Sequence, residues 1–109
     1  MQQTIGHTIL QQLGGGKFIA MTGAKNFILY EDGLRFDLPA RFAAKGINKV
    51  HITLTPNDLY TVEFMRWNTR ALELQRIAKA SDIYADMLPD TFRDHTGLET
   101  RMPTVYRAR

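Results

Sequence analysis

The chain of 109 residues contains no cysteine and a single serine, Ser81. Without cysteine the protein forms neither disulfides nor thiolate metal sites. One serine leaves little scope for a nucleophile held beside a histidine and a carboxylate, and Ser81 is better explained as a helix cap. We therefore expect a protein that is not an enzyme and needs no cofactor.

Long apolar runs are also missing. No stretch approaches the ~20 residues that span a bilayer, and the opening residues lack the pattern of a signal peptide. These absences, together with the lack of cysteine, favour a cytoplasmic protein with no membrane partner. The length and a hydrophobic content of 44% predict one domain over residues 1–100. Residues 101–109 are predicted to be a flexible basic tail.

A strong charge imbalance is absent too, although the formal net charge is +3. The excess lies in residues 1–56, which hold six lysines and arginines against three acids, whereas residues 57–109 hold eight of each. A mild basic bias is compatible with binding nucleic acid or an acidic protein surface, and is equally common in proteins that bind neither.

The first half of the chain predicts a helix followed by short strands. Apolar residues recur at helical spacing over residues 4–13, and the glycines at 14–16 end this helix. Phe18 follows Lys17 where a phosphate loop needs serine or threonine, so the sequence disfavours that motif. Strands are predicted at residues 17–22, 27–30 and 34–38, with an Asp32-Gly33 hairpin turn between the last two.

The second half predicts a hairpin and then a helix. Residues 49–55 and 59–67 alternate around a Pro56-Asn57 turn, so that five side chains should face the core: Val50, Ile52, Leu54, Val62 and Phe64. Residues 71–80 are compatible with helix or strand. A sixth strand is favoured, because the preceding strands already form a meander that it would extend. Ser81 is expected to cap a last helix, which Pro89 kinks or restarts.

These elements predict an α+β fold. We expect a five- or six-stranded antiparallel sheet, with a short N-terminal helix and a C-terminal helix packed on one face.

Four segments carry a resemblance to a known group. Residues 17–27, 34–39, 46–54 and 58–64, including Gly46-Ile47-Asn48 and Asp58-Leu59-Tyr60, resemble uncharacterised small proteins encoded in bacterial phage and mobile-element genomes. The resemblance covers most of residues 4–100 and implies a bacterial host. It implies no activity and no site residues.

Candidate metal ligands are scarce. His7, His51 and His95 lack the spacing of a helical metal site. Acidic residues recur every four positions from Asp82 to Asp94, a spacing that would place them on one face of a helix. This pattern is compatible with a metal-binding cluster or, more simply, with the solvated face of a helix. We expect the second interpretation and no bound metal.

The remaining class of function is a binding module. A sheet can hold single-stranded nucleic acid with cations and stacked aromatic rings on its open face. Candidates on outward or uncertain faces are Lys17, Lys25, Arg35, Lys49, His51, Arg66, Trp67 and Arg70, and Tyr30 could add a stacking surface.

The alternative is a module that binds or inhibits a host or defence protein. Trp67 and its neighbouring arginines would serve equally well as anchors of a protein interface. A free sheet edge could also pair with a second copy and make a homodimer.

Overall fold

The computed structural model describes residues 4–100, and the predicted basic tail at 101–109 lies outside them. The elements in chain order are helices α1 (Ile5–Leu13) and α2 (Gly16–Thr22), strands β1 (Lys25–Leu29), β2 (Gly33–Asp37), β3 (Lys49–Leu54), β4 (Tyr60–Asn68) and β5 (Glu73–Ile83), and helix α3 (Leu88–Thr96). Short 3₁₀ turns lie at Ala44–Gly46 and Ala85–Met87. None of the described helices is long and apolar enough to cross a membrane.

The five strands form one antiparallel sheet in the order β1-β2-β3-β4-β5. Each strand pairs with the next one along the chain, as is usual for consecutive strands of an antiparallel sheet. The predicted α+β class is confirmed with five strands, and the last of them, β5, is the strand that the sequence favours at residues 71–80.

All three helices pack on the same face of the sheet. Phe18 of α2 meets Phe36 of β2 and Phe92 of α3 edge to face, with ring centroids 5.4 and 5.2 Å apart. The other large side chains that are fully buried in this layer are Ile9, Leu13, Leu34, Ile47, Val50, Ile52, Val62, Phe64 and Leu88. One face of the sheet is thus covered, and the other is open.

The β3–β4 hairpin has the predicted orientation. Val50, Ile52, Val62 and Phe64 are buried, and Leu54 is half-buried at the end of its strand. The pairs Val50–Phe64 and Ile52–Val62 lie directly opposite each other on the covered face. The alternation in the sequence therefore identifies the inward side of this hairpin.

The strand predicted at residues 17–22 is wrong, because this segment is helix α2. Its buried residues, Phe18 and Thr22, stand four apart, and the Thr22 hydroxyl donates to the Phe18 carbonyl oxygen at 2.7 Å. Gly15, at φ 60°, turns the chain between the two helices. Only the helix places Phe18 between Phe36 and Phe92.

The region around Ser81 also differs from the prediction. Ser81 lies inside β5 and caps no helix, since β4 is long enough to hold the chain extended as far as Ile83. Helix α3 instead begins at Leu88 with a proline in its first turn, which is the restart at Pro89 that the sequence allows.

The acidic residues therefore do not form one face. Asp82 belongs to β5 and Asp86 to the 3₁₀ turn, whereas Asp90 and Asp94 lie in α3 with Arg93 between them. Arg93 lies 3.6 and 3.4 Å from their carboxylates.

Candidate functional site

One end of the sheet carries a groove made of two adjoining clefts. At this end β1 and β3 begin and β2 and β4 finish. The larger cleft, about 470 Å³, is lined by Ala40, Arg41, Gly46, Asn48, Arg66, Trp67, Asn68, Thr69 and Arg70. The smaller cleft, about 230 Å³, is lined by Lys25, Asn26, Asp37, Leu38, Ala40, Asn48, Lys49 and Trp67. Ala40, Asn48 and Trp67 belong to both clefts.

Trp67 divides the groove, and Asn48 holds its backbone. The Trp67 N–H donates to Asn48 Oδ1 at 2.7 Å, and Asn48 Nδ2 donates to the Trp67 carbonyl oxygen at 3.2 Å. This amide pairing continues the β3–β4 ladder beyond the Lys49–Met65 pair and holds the Trp67 backbone in place. The side chain is 37% exposed, so the ring has a supported backbone and a free surface.

The larger cleft brings together three arginines from three segments. Arg41 comes from the β2–β3 connection and stands at φ 61°, a left-handed conformation that costs about 1–2 kcal/mol without glycine. Arg66 comes from β4, and Arg70 from the β4–β5 turn. The Asn68 carboxamide oxygen stabilises that turn by accepting the N–H groups of residues 70 and 71 at 3.0 and 3.2 Å.

Gly46 determines the course of the Arg66 side chain. A Cβ atom at position 46 would lie 3.1 Å from both Cδ and Nε of Arg66. Gly46 also stands at φ 72°, where other residues are strained. The glycine lets the arginine stem lie directly against the β2–β3 connection.

The smaller cleft contains the acidic side chain Asp37. Lys49 Nζ donates to one of its oxygens at 2.7 Å, and Asn26 Nδ2 to the other at 3.0 Å. Burial raises the pKa of Asp37, but these hydrogen bonds and the charges of Lys49 and Arg35 outweigh it, so the pKa lies below its ordinary value of 3.8. Asp37 is therefore ionised at neutral pH and neutralises Lys49.

The two clefts consequently differ in charge. No acidic residue lines the larger cleft, and within residues 4–100 no carboxylate lies within 4.0 Å of Arg41, Arg66 or Arg70. The smaller cleft balances one of its two lysines with Asp37. Positive charge without a partner is thus concentrated on one side of Trp67.

Of the eight candidates on outward or uncertain faces, five line this groove: Lys25, Lys49, Arg66, Trp67 and Arg70. The other three lie elsewhere. Lys17 lies on α2 rather than on the sheet, and Arg35 and His51 lie opposite each other on the open face.

The predicted facing of Arg66 needs correction. It alternates with Trp67 along β4 and lies on the same side as Phe64, against Gly46, so it is not part of the open face. Arg66 and Trp67 nevertheless both line the larger cleft, which lies at the end of β4.

The open face itself carries mixed charge. A cross-strand row runs through Arg35, His51, Glu63 and Lys79. Arg76 pairs with Glu63 at 2.9 Å, and Tyr30 stacks on the His51 ring with centroids 5.1 Å apart. The face therefore presents one aromatic stack, but part of its positive charge is already neutralised.

Sequence reasoning did not select Arg41 and Asn48, two of the residues that shape the groove. Arg41 lies with Lys45 in the connection between two predicted strands, and two cations in one such segment are a signal of an exposed basic loop. Asn48, directly before a strand, carried no signal, because its role depends on Trp67, which lies 19 residues later in the chain.

Residues 4–100 contain no group of three or more histidine and acidic side chains that could hold a metal ion. No family model, curated protein or solved structure matches the chain. The resemblance to phage and mobile-element proteins therefore stays a prediction, and function must be argued from the groove.

Proposed function

We propose that the protein binds single-stranded nucleic acid in the groove at the end of the sheet and acts as a binding module without catalysis. The observation that supports this most is the placement of a half-exposed tryptophan between two clefts lined by five cations and one acid. Cations beside an aromatic ring are what a flexible, negatively charged strand with exposed bases requires.

Each component has a distinct task in this proposal. Stacking of a base on Trp67 contributes about 1–3 kcal/mol and tolerates any base. The arginines contact phosphate oxygens through two parallel N–H donors each. Asn48 contributes indirectly, because it keeps the Trp67 backbone in place before a ligand arrives.

A single strand fits this chemistry better than a duplex. Bases must be unstacked before an indole ring can cover them, and duplex bases are already stacked on each other. We expect single-stranded DNA or RNA to bind more tightly than a duplex of the same sequence.

Anisotropy of a labelled oligonucleotide tests the proposal. Trp67→Ala should weaken binding by about 1–3 kcal/mol, and Trp67→Phe should retain part of the affinity because a ring remains. Tyr30→Ala is the matched control, since Tyr30 is an aromatic residue of similar exposure on the open face. A larger loss in Tyr30→Ala than in Trp67→Ala would move the site to the open face, and no binding by the unmodified protein would refute the proposal.

A protein partner is the second candidate function. The β4–β5 hairpin exposes apolar side chains at its tip: Trp67, Leu72 at 71% and Leu74 at 44%. Such a tip suits the recognition of a host protein. The outer edge of β5, which pairs with no other strand within residues 4–100, suits a homodimer. Partner binding that depends on Leu72 and is insensitive to salt would favour this function over the first.

A further inference from the structure

We propose that the larger cleft receives a phosphorylated end of the strand, namely a terminal nucleotide that carries a phosphomonoester. This inference rests on the proposed function, because it concerns which part of a single strand enters which cleft. It starts from the unequal charge on the two sides of Trp67.

A terminal phosphate and an internal phosphate differ in charge. A phosphomonoester carries close to two negative charges at neutral pH and three strong acceptor oxygens. An internal phosphodiester carries one charge. Arg41, Arg66 and Arg70 supply three guanidinium groups with no acidic residue in the lining, which matches the more highly charged group.

The smaller cleft matches an internal phosphate. Its lysines are Lys25 and Lys49, and Lys49 is neutralised by Asp37 at 2.7 Å. One cation without a partner is left there, which corresponds to one phosphodiester charge. Trp67 lies between the clefts, where the base next to the end would stack.

The size of the larger cleft suits a terminal nucleotide better than an internal segment of the strand's backbone. Its volume of about 470 Å³ lies within the ~300–1,000 Å³ of pockets that hold whole small ligands. The smaller cleft, at about 230 Å³, lies below that range. The β2–β3 connection and the β4–β5 turn wall the larger cleft on two sides, so a terminal nucleotide has room to enter.

The experiment compares one oligonucleotide sequence with different ends. The forms are a 5′-phosphate, a 3′-phosphate, hydroxyl groups at both ends, and a covalently closed circle without ends. Because Trp67 is the only tryptophan, quenching of its fluorescence reports binding at the groove directly. A nucleoside monophosphate is tested as a competitor, to separate a strand end from a free nucleotide.

We expect one phosphorylated form to bind roughly tenfold more tightly than the hydroxyl form. The circle should bind like the hydroxyl form. Arg70→Gln should abolish the preference, and Arg70→Lys should reduce it, because it keeps the charge but loses the two-donor geometry. Lys25→Gln is the control, and it should weaken all forms equally while keeping their ratio.

Equal affinity for all four forms would overturn this inference and leave the proposed function standing. A preference for a phosphorylated end that persists in both Arg70→Gln and Arg41→Gln would also overturn this inference and leave the proposed function standing. A monophosphate that competes as well as the strand would make a free nucleotide the ligand and overturn it as well. Absence of binding by any oligonucleotide would refute the proposed function and this inference with it.

Discussion

The salt dependence of binding gives the sharpest test of the groove. Four of its cations have no carboxylate partner within residues 4–100: Lys25, Arg41, Arg66 and Arg70. Each phosphate neutralised on a single strand contributes about 0.7 to the slope of log K against log salt. On an oligonucleotide with hydroxyl ends, where each of these cations contacts a different internal phosphate, four contacts predict a slope of about −2.8.

Arg70→Gln removes one of these contacts and should change the slope to about −2.1. Between 50 and 200 mM salt, affinity should then fall about 20-fold for the variant against about 50-fold for the natural sequence. Arg70 lies in an exposed turn that Asn68 stabilises through backbone N–H groups, so the variant should fold normally. Oligonucleotide titrations at four or more salt concentrations, read by anisotropy, measure both slopes.

Arg93→Gln is the matched control, since it removes the same charge from α3 at a position that lines neither cleft. Its slope should equal that of the natural sequence. If Arg93→Gln and Arg70→Gln flatten the slope equally, the strand is attracted by the overall charge of the protein and does not bind in the groove.

Three further predictions concern the scaffold. Phe64→Ala should destabilise the fold by about 3–5 kcal/mol, because Phe64 is fully buried and the His95 ring stacks on it at 4.5 Å; an unchanged thermal midpoint would contradict the packing described here. Asn48→Ala should cost about 1–3 kcal/mol and weaken oligonucleotide binding, because two hydrogen bonds to the Trp67 backbone are lost; denaturant unfolding and anisotropy check the two effects separately. The lowered pKa of Asp37 stabilises the fold fully above pH 3.8, and this contribution is lost as pH falls through the lower folded-state value. Asp37→Asn should therefore make stability less dependent on pH in the acid range, whereas parallel stability profiles for the two proteins would exclude this role.

Local patterns predicted the hairpin and the first helix because both depend on neighbouring residues. Alternation around Pro56-Asn57 identified the inward side of β3 and β4, and helical spacing before a glycine identified α1. The segment at residues 17–22 failed because short apolar runs suit either helix or strand. Contacts of Phe18 with Phe36 and Phe92, which lie far away in sequence, decided in favour of a helix.

For the site, the sequence by itself determined which side chains are available: an excess of cations in the first half of the chain and one tryptophan. It also identified five residues that line the groove. Tertiary structure alone decided which of them share a cleft: Lys25 and Lys49 lie in the smaller cleft, Arg66 and Arg70 in the larger one, and Trp67 belongs to both. It also placed Arg66 on the covered side, brought Arg41 into the cleft and bound Asn48 to Trp67. Such proximity arises from strand register and loop packing, which depend on contacts between distant segments and leave no local pattern in the chain.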